Sequence, residues 1–256
     1  MTKTGFWGEL DLAPGESETL DYGTLRLAVE RTQREVWLHI RRTSGGGGEE
    51  ERPGEESEEW RRWAMPESAR LSIRPAAPDR LVVVSQEHPF HLPSHAEARV
   101  YVRIPLFVRV VASGPDSDEL VLADVPSIVL SDTWWGTFTE GELAYWLTTT
   151  ARSEVSDDLF LPHVAMCPFR FANRSEDALP VERFAVRVPH LTLFADGARM
   201  WTDEVRVRYA AAVEGSEIGF GGRAPAESPG AERVAPPRVP VRRRFHARTF
   251  GRLLGF

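Results

Sequence analysis

The chain has 256 residues, 42% hydrophobic and 27% charged, with 20 Gly and 19 Pro. This globular composition excludes collagen-like, wholly disordered and disulfide-framework proteins. No apolar run approaches the roughly 20 residues a membrane span needs. The opening Met1 to Glu9 has no apolar stretch behind its single Lys3, so neither an integral membrane protein nor a secretory signal is expected. The net charge of -7 fits nucleic acid poorly, because binding there needs Lys and Arg to displace condensed counterions. The total conceals an asymmetry: residues 233–256 hold seven Arg and no acid, so the first 232 carry -7 minus 7, or -14. Cys167 is the single cysteine and precludes an internal disulfide. With no export signal it fits the reducing cytoplasm, at most peripheral to the inner face of the membrane.

In chain order, the first clear signal is period-two alternation. Leu25, Leu27 and Val29 alternate with polar residues, as do Val36, Leu38 and Ile40. Such patterning puts one strand face in a core and the other in water. Residues 44–59 follow, four Gly leading into seven Glu and one Arg, a composition that cannot bury enough apolar surface to offset ordering. They are expected to form a flexible acidic insertion. Alternation resumes at Val100, Val102 and Ile104, at Phe184, Val186 and Val188, and at Val205, Val207 and Tyr209. Apart from the C-terminal tail, no stretch of twelve residues shows a 3.6-residue period with caps. The expectation is an all-β, antiparallel β-sandwich architecture in two sandwich-like halves, 1–114 and 115–218, on either side of Gly114-Pro115-Asp116. Residues 219–256 are expected to be a Pro/Gly linker and a basic tail.

Three clusters carry candidate chemistry. His88, His91 and His95 put three imidazoles within eight residues, a set that could hold Zn or another transition metal with an open position. Pro89 and Pro93 kink the segment, so a solvated loop is the default, and no cofactor is otherwise predicted. Trp37, Trp60 and Trp135 are candidates for stacking on a small ligand, whereas Trp7, Trp146 and Trp201 are expected in cores. Cys167, in an apolar setting four residues from His163, reads as a small core residue. Asp132, Glu140, Glu142, Asp157 and Asp158 read as turn acids. No phosphate-binding glycine loop, nucleophile elbow or Cys-x-x-Cys is present. In the tail, Arg242, Arg243, Arg244, Arg248 and Arg252 accompany Phe250, Leu253 and Leu254. As a helix, its arginines would form a stripe beside an apolar side, marginal alone and ordered by a partner, either a protein or an anionic membrane surface.

The opening Phe6-Trp-Gly-Glu-Leu-Asp-Leu12, the stretch from Leu92-Pro93 to Val100-Tyr-Val-Arg-Ile-Pro105, and Phe171-Ala-Asn-Arg-Ser175 share an order with a known family. Most specific is Trp135-Gly-Thr-Phe-Thr-Glu-Gly-Glu-Leu-Ala-Tyr-Trp146. From Gly5 to about Ala226 the chain resembles the prokaryotic family called domain of unknown function 432. That resemblance implies a β-rich protein and, since some members are associated with small-conductance mechanosensitive channels, an accessory role at a channel's cytoplasmic side. The acidic insertion and basic tail look peculiar to this chain. The expected function is a non-enzymatic binding or accessory module docking through its tail. The alternatives are a metal-dependent enzyme at His88, His91 and His95, and a Trp-lined ligand-binding sandwich. A homo-oligomer is compatible through an edge strand, although no residue pattern demands one.

Overall fold

Where side chains alternate the backbone is a strand with its apolar face in a core, except at Val188, which opens a 3-10 turn just after the strand Leu179–Val186. Leu25, Leu27 and Val29 are buried while Arg26 between them and Glu30 after them are exposed. The computed structural model describes residues 2–43, 57–114, 119–211, 215–240, 245–247 and 249–251. Its strands are β1 (Thr2–Thr4), β2 (Gly8–Leu10), β3 (Ser17–Tyr22), β4 (Leu25–Arg31), β5 (Glu35–Arg42), β6 (Ser57–Ala64), β7 (Arg70–Ala76), β8 (Val82–Leu92), β9 (Glu97–Pro105), β10 (Phe107–Ser113) and β11 (Leu120–Pro126). They continue with β12 (Ser131–Trp135), β13 (Glu142–Ala151), β14 (Val164–Asn173), β15 (Leu179–Val186), β16 (Leu193–Asp196), β17 (Arg199–Thr202), β18 (Val205–Ala211), β19 (Gly215–Phe220), β20 (Glu232–Ala235), β21 (Phe245–Ala247) and β22 (Phe250–Gly251). Among the described residues the only helical turns are the short 3-10 segments Asp157–Leu159 and Val188–His190.

The chain divides into two units. The first comprises Met1–Ala76 and Pro105–Val129, the second Ala77–Ile104 and Leu130–Phe256. In the first, a sheet ordered β1-β3-β4-β5-β6 and one ordered β11-β10-β7-β2 share a single core. Leu20, Leu27 and Leu38 from one sheet join Leu71, Ile73 and Val108 from the other, all fully buried. Each such side chain contributes about 2 kcal/mol by leaving water. Tyr22 lies 4.7 Å from Trp7, ring to ring, and its hydroxyl donates to the Phe6 carbonyl.

In the second unit, one sheet runs β12-β13-β8-β15-β22 and the other β20-β16-β17-β14-β18-β19-β21, with β9 also on β14. Phe169 and Phe171 of β14 meet Phe184 of β15 with ring centroids 4.8 to 5.0 Å apart, which joins the two sheets. β14 is buried almost along its whole length, as expected for a strand covered on both faces.

Several expectations are corrected. The sheets are mixed rather than purely antiparallel: β1 with β3, β13 with β8, and β14 with both β17 and β18 run parallel. Alternation is the same for both senses, so it could not distinguish them. The unit boundaries are discontinuous instead of falling once near 114, because β10 returns to pair with β7 after β8 and β9 have joined the other unit. Of the acidic insertion, residues 44–56 lie outside the described residues, but Ser57, Glu58 and Glu59 begin β6. The supposed linker contains β20, paired with β16. The described part of the tail is strand, not helix: β21 pairs with β19 and β22 with β15, supplying hydrogen bonds that a short isolated helix would have to sustain alone.

Candidate functional site

Among the described residues, the β12–β13 hairpin holds the most exposed aromatic side chain, Phe138. Period-two geometry sends Trp134 and Trp135 to opposite faces. Trp135 is buried with Leu81, Val83, Ala144 and Ala185, with the Arg183 guanidinium 5.8 Å from its ring, so its expected ligand role is withdrawn. Trp134 is 53% exposed and stands opposite Leu143, itself 44% exposed. Phe138, at the tip, is 96% exposed.

Two glycines shape this tip. Gly136 has φ +122°, and a Cβ there would lie 2.6 Å from the Gly141 Cα. A Cβ on Gly141 would lie 2.1 Å from Trp134 Nε1. The indole therefore packs against Gly141 and donates from Nε1 to the Thr137 carbonyl at 2.8 Å, while the Glu140 N–H donates to Thr137 Oγ1 at 3.1 Å. Two carboxylates near the turn are paired with arginines: Asp132, on the Trp134 face, is 2.9 Å from Arg80, and Glu142, opposite Trp135 and so on the other face, is 2.6 Å from Arg187. Below it, the Tyr145 hydroxyl donates to Asp79 at 2.8 Å, and burial followed by this bond raises its pKa to about 12. Three large apolar side chains on and beside a turn held by its own hydrogen bonds form a surface suited to an apolar hollow on a partner.

A second aromatic group lies on the outer face of β5 and β6. Trp60 stacks on His39 with centroids 3.9 Å apart and an interplanar angle of 7°, and meets Trp37 edge-on at 6.4 Å. The Arg62 guanidinium stands 5.2 Å from the Trp37 ring and 2.7 Å from Glu35, whose carboxylate also accepts from Trp37 Nε1 at 3.1 Å. Glu58 pairs with His39. Thus two of the three tryptophans expected to stack on a ligand, Trp37 and Trp60, come together, with Trp60 57% exposed.

His88, His91 and His95 do not converge. His88 and His91 are exposed on β8, and His95, at φ +58° in the following turn, reaches Glu176 at 3.6 Å. Among the described residues no group of three His, Cys, Asp or Glu could share a metal ion. Cys167 is fully buried and its thiol is pushed up to about 12 by burial, while burial lowers His163 to about 4, so they do not form a thiolate–base pair at neutral pH. Of the tail positions, Arg242, Arg243, Arg244, Arg248, Arg252, Leu253 and Leu254 lie outside the described residues, and Phe250 is in β22. A groove of about 340 Å³ in the second unit holds Glu204, which Arg99 at 3.1 Å, Arg170 at 3.7 Å and Arg206 at 2.6 Å neutralise together. The Phe138 tip was missed in the sequence because no pattern marks an apolar loop residue as exposed.

Fold and surface together define an all-β protein of two double-sheet units. The chain belongs to the family described as "Protein of unknown function (DUF432)", whose family model matches residues 6–254. The family-like segment from Trp135 to Trp146 is the exposed hairpin itself. No curated protein and no solved structure matches the chain. No helix among the described residues is long and apolar enough to cross a membrane.

Proposed function

We propose that this chain is a non-enzymatic binding module that docks onto a protein partner through the tip of the β12–β13 hairpin. The observation that carries the reading is the exposure of Phe138, in a turn shaped by Gly136 and Gly141, and of Trp134 and Leu143 on the strands beside it. Holding three apolar side chains in water costs free energy that covering them would recover, about 25 cal/mol per Å². The exposed apolar side chains select a receiving surface with an apolar hollow. The family resemblance suggests a mechanosensitive channel as that partner, with the module at its cytoplasmic side. In this reading the tail arginines add a second, salt-sensitive contact with an acidic surface of the same assembly.

The test is cross-linking and capture from membranes and lysate of the source organism, comparing wild type with the Phe138→Ser/Leu143→Ser double variant and with an Arg242→Glu/Arg243→Glu/Arg244→Glu variant. Because Phe138 and Leu143 lie outside the cores, the double variant should melt like wild type. It should capture its partner at least about 10-fold less well, the loss of a modest hot spot. Equal capture of the same partner by wild type and the hairpin variant would overturn the hairpin as the docking element. Equal capture by the triple Arg variant would remove the tail from the proposal.

A further inference from the structure

The strand β6 ends the order β1-β3-β4-β5-β6, so its outer backbone edge has no strand beside it among the described residues. Exposed edges are ordinarily blunted by charge, because a run of one sign repels its own copy. The charges here follow a different rule. Around Trp60 the sequence reads Glu58-Glu59-Trp60-Arg61-Arg62, two acids on one side and two bases on the other. Read antiparallel against itself, this segment is its own complement.

We propose that β6 pairs with β6 of a second copy of this chain, antiparallel and with Trp60 opposite Trp60, to form a homodimer whose sheet runs continuously across the two-fold axis. In that register Glu58 faces the second copy's Arg62 and Glu59 faces its Arg61, and the reciprocal pairs bring the total to four. The parity is right for both faces. Glu58, Trp60 and Arg62 share the outer face with His39 and Trp37, while Glu59 and Arg61 lie on the side of Trp63, which packs on the core. The register is also selected against its neighbours. A slip of two residues one way sets Glu59 against Glu59, and the other way sets Arg61 against Arg61, both destabilising when directly opposite.

The groups needed are at the surface. Side-chain exposure is 54% for Glu58, 55% for Glu59, 60% for Arg62 and 33% for Arg61. Within one chain Glu59 pairs with Arg61 at 2.8 Å, Arg62 with Glu35 at 2.7 Å, and Glu58 with His39; each pair has at least one side chain more than half exposed, and ion pairs open to water are weak. Forming the second set of pairs therefore gives up little. Trp60 at the centre gains a cross-strand aromatic neighbour on its open side.

The experiment is sedimentation of the full chain over a range of concentrations, with circular dichroism to verify the fold. Wild type should show a monomer–dimer equilibrium that weakens with salt. Glu58→Arg/Glu59→Arg and Arg61→Glu/Arg62→Glu, each alone, convert all four facing pairs to like charges. Each should remain folded and raise the dimer dissociation constant by about 30-fold or more. Mixing the two variants should restore a dimer containing one of each, and the quadruple exchange should restore a homodimer. A wild-type chain that stays monomeric throughout, or a dimer that survives either reversal, would overturn the proposal. Neither outcome depends on what the hairpin binds.

Discussion

Asn173 is completely buried at the end of β14, where its side chain acts as a junction. The two hydrogens of its Nδ2 serve the carbonyls of Leu92, Pro93 and Asp177 at 2.8 to 3.0 Å, one of them shared, and its Oδ1 accepts from the Ser175 N–H and hydroxyl. One amide thus ties the end of β8 to the turn leading to β15. Asn173→Ala would leave the buried Leu92 carbonyl without this donor, at about 1 to 3 kcal/mol when uncompensated, while the part-buried groups can turn to water. The expected loss is about 1 to 3 kcal/mol, read as a lower denaturation midpoint with an unchanged slope. Asn173→Asp should cost more, because a carboxylate would face three carbonyl oxygens. The Phe171-Ala-Asn-Arg-Ser175 segment was legible in the sequence as part of a family-like pattern. The asparagine's task was not, because its acceptors lie some 80 positions away at Leu92 and Pro93.

Elements that read clearly in the sequence were those with one buried face, β4, β5, β9 and β18, since water on the other side enforces alternation. The C-terminal strands did not read this way. β20, β21 and β22 have four, three and two residues, too few for a period, and they lie among Pro, Gly and Arg. They are nevertheless built into the second unit. Ala235 and Thr249 are buried, the Val239 N–H donates to the Pro189 carbonyl at 2.9 Å, and the Ala185 N–H donates to the Thr249 carbonyl at 2.8 Å. A chain ended at residue 232 loses all of these bonds, whereas one ended at Gly251 keeps them. The shorter truncation should melt at least several degrees lower, about the shift that 1 to 2 kcal/mol produces in a chain of this size, and the longer should match wild type. Equal melting of the two would show that these strands add no stability. β6 illustrates a different loss: its self-complementary charges were visible as letters, but with Ser57–Glu59 taken as part of a flexible insertion they carried no meaning.

For the molecule as a whole, the decisive feature is that the first unit is interrupted. Its chain leaves after Ala76 and returns at Pro105, and Phe107 of β10 pairs directly with Ala76 of β7. A short glycine turn can therefore replace residues 77–104. A chain joining 1–76 to 105–129 in this way retains both sheets and the Leu20-to-Val125 core, and should unfold cooperatively in denaturant. A chain of residues 1–114 lacks β11, with its buried Leu122, Ala123 and Val125, and keeps β8 and β9 without their partners. It should aggregate or show no cooperative transition. Cooperative folding of the 1–114 chain with the stability of the fused one would refute the division into these two units.

The sequence alone determined that the protein is almost entirely β, which residues point inward along its longer strands, and to which family it belongs. All three are written in local order, in alternation, turn residues and short motifs. Only the tertiary structure decided which strands neighbour one another, in which sense, and which apolar side chains remain in water. Trp134 and Trp135 are adjacent and chemically identical, yet one lies in a core and the other on the surface. The difference comes from the sheet around them, since a strand's two faces are equivalent until something packs on one.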